Sequence, residues 1–354
     1  MAVKMFFHIP DDKACTIYRA EMPIKHLYND LSLHGIHVTG DNKTLKHENF
    51  DIYIFNRLMR PPFYMEVIAP WLELGKTFAW QCDDDLWKIP NWNPVNRLLD
   101  ENDLKATEIY LNKCKSLWVS TENLAKVVTY PDKTRVLPNL IDTNHFDTEI
   151  VHDEKGPLKI LWCGSSSHDK DFDDIVEPII KILDKYKEKI AVIFWGYLPT
   201  QLANFVREPG FPHANLVPKY DNLFYGEWFS NREYFYKLRD LKPDIAIMPL
   251  DDCPFNYSKS NLKYLEMSMA GAACIATGLP PYECVVNKET GLVIKSGDTQ
   301  GWFDAIDELI QNKEYRLKLN QNAREQIWSK YTWQSPSRQL WLQAFLDLAA
   351  TTAY

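Results

Sequence analysis

This 354-residue sequence lacks the features of several special classes of protein. It has seven cysteines, an odd number, and no Cys-x-x-Cys pair, unlike a disulfide-stabilised secreted protein. The apolar run near Met1 is too short for a signal peptide, so we expect reduced thiols and a cytoplasmic location. No stretch reaches the roughly 18 apolar residues of a membrane-spanning helix. The net charge is −8, so a general basic footprint for nucleic acid is absent.

Two common signatures of enzyme sites are also missing. The polar turn at residues 164–170 contains no Gly-Lys-Ser or Gly-Lys-Thr sequence, which excludes a phosphate-binding loop of the Walker type. No His-Glu-x-x-His motif occurs, and the one His-x-x-His sequence, at residues 34–37, has no cysteine or third histidine nearby. We therefore expect no metal site.

Composition and patterning indicate two α/β domains. Hydrophobic residues make up 45% and charged residues 25% of the chain, as in ordinary soluble proteins. Continuous apolar runs such as Val3–Ile9, Ile52–Phe55 and Thr77–Cys82 alternate with helical patterns at 18–34 and 63–74. The polar stretch at 140–157 is interpreted as an interdomain linker, after which the alternation restarts with a helical pattern at 172–186 and, further on, an apolar run at 273–277. This alternation predicts two doubly wound parallel sheets facing a cleft, with ligands beyond the carboxyl ends of the strands.

One segment of the second half carries more candidate chemistry than any other. Lys259 precedes a predicted helix that begins near Ser260 and is followed by Gly271 and an apolar strand. The free N–H groups and positive dipole end of a helix favour phosphate. Lys263 and Glu266 lie on one face of that helix, where the carboxylate could accept two hydrogen bonds from a ribose diol. The alternative is an ordinary amphipathic helix with a Lys–Glu surface pair.

A second candidate follows the predicted strand at 158–163. Gly164 allows a ligand to approach the backbone closely. The hydroxyl and N–H groups of the serines that follow could hold a phosphate. The alternative is a polar strand–helix loop capped by Ser165 or Ser167.

The first segment resembles the nucleotide-sugar-binding element of GT-B glycosyltransferases. In that element a glutamate that holds the nucleotide ribose is followed by a small-residue turn and a strand. Glu266, Gly271, Ile275 and Ala276 match this pattern in register. The first glutamate of the Glu-x7-Glu motif falls at Ser258, so that half of the motif is missing. Group 1 glycosyltransferases share this element.

The Lys-Ser-Asn-Leu-Lys-Tyr-Leu-Glu sequence at 259–266 is similar to a bacteriophage-type branch of the superfamily, which includes the phage DNA glucosyltransferases. This resemblance implies that Lys263 faces the diphosphate. It implies two Rossmann-like domains, at 1–145 for the acceptor and 155–335 for the nucleotide sugar, and a helix at 336–354 that crosses back to the first. It also implies a basic role for His168 and Lys170 and a base-stacking role for Tyr197. The complete predicted donor site is Gly164, Ser165, Ser166, His168, Lys170, Tyr197, Ser258, Lys259, Ser260, Asn261, Lys263 and Glu266.

Three adjacent carboxylates, those of Asp83, Asp84 and Asp85, follow the predicted strand Thr77–Cys82. Their mutual repulsion costs stability, which favours a raised pKa, contact with a basic substrate group or a metal. The Asp-x-Asp pattern is that of metal-binding GT-A enzymes, but two predicted sheets and the resemblance to phage enzymes favour a general base. Asp83 is our first choice, followed by Asp84 and Asp85, and the alternative is a solvated acidic turn or a helix cap.

Candidate acceptor-binding residues follow other strands of the first half. Tyr18 and Arg19 lie near the start of a helix after the first strand, Asn56 and Arg57 follow the strand at 52–55, and Trp87 lies beyond the aspartates. Arg19 could bind phosphate or an anionic acceptor. The alternative is that these side chains only pack their loops.

The resemblance implies a hexosyl- or pentosyltransferase that needs no metal or other cofactor and takes its sugar from a nucleotide diphosphate, UDP being the expected nucleotide. The acceptor is either a saccharide or small hydroxylated molecule, or a hydroxymethylated pyrimidine in DNA within a phage-infected bacterium. A basic patch for DNA could comprise Lys113, Lys115, Lys126, Lys133 and Arg135. Rival interpretations are a non-catalytic nucleotide-sugar-binding protein and a phosphorylase or epimerase. We expect a monomer or homodimer.

Overall fold

The chain forms two parallel sheets of six strands each. The structure, a computed structural model, describes residues 2–9, 11, 13–41, 50–153, 155–206, 220–226 and 229–352. Both sheets are covered by helices, and the predicted fold class is confirmed. In the described residues, no helix is both long and apolar enough to cross a bilayer.

The first sheet has the strand order β2-β1-β3-β4-β5-β6. Its strands are Val3–His8 (β1), Ile36–Asp41 (β2), Ile52–Asn56 (β3), Thr77–Cys82 (β4), Ser116–Val119 (β5) and Thr134–Val136 (β6). All six residues of β4 are buried, because helices cover both faces of the sheet. This double burial explains the continuous apolar runs in the sequence.

The second sheet has the order β12-β11-β10-β7-β8-β9. Its strands are Leu158–Cys163 (β7), Ile190–Trp195 (β8), Leu223–Gly226 (β9), Ile245–Met248 (β10), Ala273–Thr277 (β11) and Leu292–Ile294 (β12). The chain reverses its direction of winding between β7 and β10, and ligands bind at such a switch point in open α/β sheets.

The helices around the first sheet include two π-helical turns. The α-helices are Ala14–Thr16 (α1), Met22–Leu33 (α2), Pro61–Phe63 (α3), Ala69–Glu73 (α4), Glu101–Lys113 (α5) and Glu122–Val127 (α6). The π-helical turns are Ile17–Glu21, between α1 and α2, and Tyr64–Ile68, between α3 and α4. The predicted uninterrupted helices at 18–34 and 63–74 are therefore each broken by a wider turn.

The helices around the second sheet are Val176–Tyr186 (α7), Thr200–Val206 (α8), Asn231–Leu241 (α9), Pro254–Tyr257 (α10), Leu262–Met269 (α11), Thr299–Gln311 (α12), Lys313–Lys330 (α13) and Arg338–Ala350 (α14). The helix predicted at 172–186 begins only at Val176, because residues Ser166–Phe172 form a 3-10 helix. Of these helices, α14 packs against the first sheet. Trp341 and Phe345 are buried there beside Trp118.

The short edge strands were not predicted, and their patterns explain why. β2 alternates between buried and exposed positions and contains Gly40, whereas β6 and β12 have only three residues each. The division of the chain at 1–145, 155–335 and 336–354 stays a prediction. The polar stretch 140–157 is not a plain linker, because Ile141 is fully buried and forms an isolated parallel bridge with Thr332.

Candidate functional site

A cleft of about 450 Å³ lies between the carboxyl ends of the strands of the two sheets. On the first-sheet side it is lined by Lys13 and Cys15 after β1, by Arg57 after β3 and by Asp83 and Asp84 after β4. The second-sheet side contributes the turn after β7 and residues of α9 and α11. The cleft therefore collects the strand-end residues to which the sequence pattern pointed.

Glu266 is the central carboxylate on the second-sheet side. Only 5% of the Glu266 surface is exposed to solvent. The Oε1 atom accepts a hydrogen bond from the Tyr18 hydroxyl (2.8 Å), and Oε2 accepts one from the Tyr234 hydroxyl (2.9 Å). Burial raises the pKa of Glu266 to about 7, while the two tyrosine hydrogen bonds and the positive charge of Lys263 act in the opposite direction. Two hydroxyl donors, one on each oxygen, are also what a ribose diol would offer.

Lys263 lies one turn before Glu266, beside a histidine and a tryptophan. Its Nζ is 3.5 Å from His168 Nε2 and 4.9 Å from the centre of the Trp162 ring. Burial lowers the pKa of Lys263 to about 8, and the positive charge of Lys259 acts in the same direction. The ammonium is therefore a partly desolvated cation, and it would gain from a phosphate counter-ion.

His168 orients this lysine rather than adding a charge. Burial, followed by the positive charges of Lys259 and Lys263, lowers the pKa of His168 to about 3. The neutral ring can donate from Nδ1 to Asp171 Oδ2, 2.5 Å away, which leaves Nε2 free to accept from Lys263. At neutral pH the ring is therefore an uncharged acceptor for Lys263, and the role near the diphosphate that the resemblance implies for His168 stays a prediction.

The turn after β7 brings small polar groups to the same wall. Gly164, Ser165 and Ser167 line the cleft, and the two serine hydroxyls are 2.6 Å apart. A Cβ atom on residue 164 would lie 2.6 Å from Cζ2 of Trp162, so glycine is required for this packing. Lys259 and Ser260 complete this wall.

Across the cleft, Asp83 and Asp84 face these cations. Asp83 Oδ1 is 3.7 Å from Nε of Arg57. The backbone of Arg57 has a positive φ of 59°, a conformation that non-glycine residues rarely adopt. Burial, and next the negative charge of Asp83, raises the pKa of Asp84. A raised pKa makes this carboxylate a stronger proton acceptor than an ordinary aspartate.

Cys15, Asp83 and Asp84 each place one potential metal-ligand atom within 4.8 Å of the others. Burial, followed by the negative charge of Asp83, raises the pKa of the Cys15 thiol well above its usual range. The thiol is therefore protonated at neutral pH, so binding a metal there would require the thiol to lose its proton.

Asp85 is not brought to the cleft. It is fully buried, and its Oδ1 accepts hydrogen bonds from the backbone N–H groups of Trp87 (3.0 Å) and Lys88 (3.1 Å). Asp85 therefore caps the turn, the role that the alternative interpretation gave to this run, whereas its two neighbours line the cleft.

The predicted acceptor residues are dispersed, and only Arg57 lines the cleft. Asn56 ties strand ends together by donating to the carbonyl of His8 (2.6 Å) and accepting from Gln81. Trp87 lines a separate groove of about 620 Å³ and donates from Nε1 to Glu108 (3.2 Å). These positions assign Asn56 to packing, as the alternative interpretation held.

Tyr18 and Arg19 are buried and do not line the cleft. Tyr18 is 1% exposed and bonds to Glu266, whereas Arg19 is 2% exposed. The Arg19 guanidinium donates to the carbonyl of Leu137 and to Asn139 Oδ1, and lies 4.7 Å from the centre of the Trp341 ring. Arg19 therefore joins the π-helical turn Ile17–Glu21 to residues 137–139, which follow β6, and to α14.

Five predicted donor residues lie away from the cleft. Ser166 and Lys170 are exposed, and Lys170 pairs with Asp173 at 3.1 Å. Tyr197 donates its hydroxyl to Asp169 (2.9 Å). The remaining two are Ser258, which is buried and lines the separate groove, and Asn261, which contacts the sulfur of Cys284. These five polar side chains are thus exposed or contact other protein groups rather than lining the cleft.

The basic residues considered for DNA have different surroundings, and their role stays a prediction. Lys133 donates to the carbonyls of Leu111, Asn112 and Cys114 at the end of α5, so its charge is used within the fold. Lys126 lines the separate groove, and Lys113, Lys115 and Arg135 are exposed.

Several cleft residues were not predicted from the sequence. Tyr234 on α9, Phe229 just before α9 and Tyr282 all line the cleft. No motif marks them, although the aromatic density around 224–236 was a signal of a ring-lined wall.

Comparison with known proteins identifies the fold. No protein-family model matches the sequence, and no curated protein matches it significantly. Solved structures do match. The structure of HepE from Anabaena in complex with UDP and glucose has a TM-score of 0.66 and 12% sequence identity, over 98% of this chain and 100% of that one.

Two further structures are similar over nearly the whole chain. A glycosyltransferase from Rickettsia africae has a TM-score of 0.65 and 14% identity, over 99% of this chain and 98% of that one. Sucrose-phosphate synthase from Thermosynechococcus elongatus has a TM-score of 0.63 and 14% identity, over 99% of this chain and 100% of that one. With its two facing six-stranded parallel sheets, this chain has the GT-B fold of glycosyltransferases.

Proposed function

We propose that this protein is a glycosyltransferase that moves a sugar from a nucleoside diphosphate, UDP in the first instance, to a hydroxyl group of an acceptor. The observation that carries the proposal is the cleft itself. It sets Glu266 and two lysines on one wall against Asp83 and Asp84 on the other. A complex of HepE, which shares the fold, contains UDP-glucose, and this supports a UDP-sugar as the donor.

In this proposal the second-sheet wall binds the donor. Glu266 accepts hydrogen bonds from the ribose hydroxyls. Lys263 and Lys259, with the Gly164–Ser165 turn, face the diphosphate. These cations matter most when the bond between the anomeric carbon and the phosphate oxygen breaks, because the diphosphate then takes the electron pair and its negative charge increases.

The first-sheet wall supplies the base. The acceptor oxygen forms the new bond to the anomeric carbon and loses its proton to Asp84, whose raised pKa favours that role, with Asp83 held beside it by Arg57. A base that acts directly on the acceptor predicts inversion at the anomeric carbon. Retention of configuration, measured by NMR on the product, would contradict the assignment of Asp84.

Nucleotide binding tests the donor half of the proposal. Thermal unfolding is measured with UDP, GDP, CDP, ADP and dTDP. A ligand present at 100 times its dissociation constant stabilises by about 2.7 kcal/mol, so one of these nucleotides should raise the midpoint clearly. No response to any of them would refute the proposal.

Release of nucleotide from the corresponding sugar nucleotide tests the reaction. Release that depends on an added hydroxyl acceptor indicates transfer. Release without an acceptor would favour a phosphorylase or an epimerase, and binding without release would favour a non-catalytic binding protein. A salt-dependent gel shift with hydroxymethylated duplex DNA tests the phage-type alternative, in which the acceptor is a flipped-out base.

A further inference from the structure

We propose that Tyr18 is a positioning residue for the nucleotide: from the first-sheet side it holds the Glu266 carboxylate in the orientation that receives the ribose diol. Donor binding would thereby depend on the contact between the two halves of the protein. The inference rests on the proposed function, because it takes Glu266 as the ribose ligand.

The geometry separates Tyr18 from the ligand. The Tyr18 hydroxyl donates to Glu266 Oε1 at 2.8 Å across 248 residues of sequence. Glu266 and Tyr234 line the cleft, but Tyr18, 1% exposed, does not. Tyr18 therefore approaches the carboxylate from behind. Since a carboxylate oxygen has two lone pairs, Oε1 can accept from Tyr18 and still accept from a ribose hydroxyl.

The first-sheet side fixes the position of this hydroxyl. Tyr18 belongs to the π-helical turn Ile17–Glu21, an irregularity that frequently marks functional sites. The adjacent Arg19 anchors that turn to Leu137 and Asn139, at the crossover between the halves. Asn139 in turn donates to Ser260 on the cleft wall (3.0 Å). A relative movement of the halves would thus alter the Tyr18–Glu266 contact.

The charges around Glu266 show what the contact does. Apart from Tyr18, the titratable groups that face it are Tyr234 on α9, Lys263 on its own helix and Cys163 at the end of β7, and Asp142 acts on Tyr18. Among the described groups that act directly on the pKa of Glu266, Tyr18 is the one carried by the first-sheet side. Burial raises the pKa of Glu266, and the hydrogen bond from Tyr18 opposes that rise. Losing the hydroxyl should therefore favour the protonated acid, which accepts fewer hydrogen bonds from ribose.

The test is the pH dependence of nucleotide affinity in Tyr18→Phe. Isothermal titration from pH 6 to pH 9.5 uses whichever of UDP, GDP, CDP and ADP binds the wild type most tightly, together with its 2′-deoxy counterpart. A hydrogen bond to a charged group corresponds to about one to two pH units in the pKa of Glu266. The variant should therefore bind roughly 5- to 50-fold more weakly at pH 7. Its discrimination against the 2′-deoxy nucleotide should also decrease.

The ratio of the two dissociation constants identifies the cause. It should shrink to less than about twofold by pH 9.5, where Glu266 is ionised in both proteins. Titration of the diphosphate itself affects both proteins equally and cancels in the ratio, whereas the charge of Glu266 acts on Lys263, so the two groups are fitted together. The matched control is Tyr110→Phe, which also removes one buried hydroxyl, a donor to the carbonyl of Ala79 at 3.0 Å. Its nucleotide affinity should show the same pH dependence as that of the wild type.

Each other outcome overturns the inference in a recognisable way. A loss of affinity that is the same at every pH would mean that Tyr18 only packs the halves together. Tighter binding by the variant would mean that Tyr18 competes with ribose. If the wild type binds neither these four nucleotides nor dTDP, the proposed function itself fails. Binding of dTDP alone, or wild-type binding with an unchanged Tyr18→Phe profile, refutes the positioning role alone.

Discussion

Replacing Glu266 with glutamine should stabilise the free protein above neutral pH while removing its ribose ligand. The pKa of Glu266 is raised from 4.5 to about 7, chiefly by burial. Between these values the native protein holds a proton that the unfolded chain has lost, so wild-type stability falls as the pH rises through this window. At about 1.36 kcal/mol per pH unit, the full cost of ionising the buried carboxylate is about 3 kcal/mol.

The assay is chemical unfolding of both proteins at pH 5, 6, 7 and 8. Between pH 5 and pH 8, the free energy of unfolding of Glu266→Gln should increase by about 2 to 3 kcal/mol relative to that of the wild type. His168, with its pKa lowered to about 3 by burial and then by neighbouring positive charge, has the opposite dependence. It is present in both proteins and cancels in the difference.

Glu177→Gln provides the matched control, because Glu177 is exposed and pairs with Lys181 on the surface of α7 at 2.7 Å. Its difference from wild type should change little over the same range. A Glu266→Gln difference that is flat with pH would refute the reasoning, since it would mean that Glu266 ionises at its ordinary pKa. A difference that moves in favour of the wild type would mean that the tyrosine hydrogen bonds and the positive charge of Lys263 outweigh burial.

Three further substitutions test other parts of the cleft. Asp84→Asn should lower acceptor-dependent nucleotide release by roughly 10²- to 10⁴-fold, with nucleotide affinity from titration calorimetry nearly unchanged, because the base acts only on the acceptor. Lys263→Met should weaken a nucleoside diphosphate much more than the free nucleoside, since the ammonium faces the diphosphate; calorimetry with both ligands measures this. Gly164→Ala should lower the free energy of unfolding by about 1 to 3 kcal/mol, measured with urea, because its Cβ would lie 2.6 Å from Cζ2 of Trp162.

The controls for the charge substitutions lie on the surface. Asp240→Asn and Lys181→Met remove the same charges far from the cleft, and both should behave as the wild type in the release and calorimetric assays. An equal loss for nucleoside and nucleoside diphosphate in Lys263→Met would contradict the diphosphate contact. Full activity of Asp84→Asn would exclude Asp84 as the base.

The sequence predicted the elements whose causes are local. Apolar runs such as Thr77–Cys82 and Ala273–Thr277 predicted buried strands with the bounds that the structure shows. Helical spacing placed Lys263 and Glu266 on one face, and both line the cleft. The π-helical turn Ile17–Glu21 escaped prediction, because a single wider turn leaves the apolar period almost unchanged.

The sequence by itself determined the α/β class, the two-sheet plan and the residues that follow the strands, because hydrophobic periodicity and strand-end chemistry are written in neighbouring positions. Only the tertiary structure decided which of these residues share the cleft. It assigned Asp84 to the cleft and Asp85 to a turn, and it joined Tyr18 to Glu266 across 248 residues. Such contacts depend on how the two halves pack, which is a sum over many distant side chains rather than a property of any short segment.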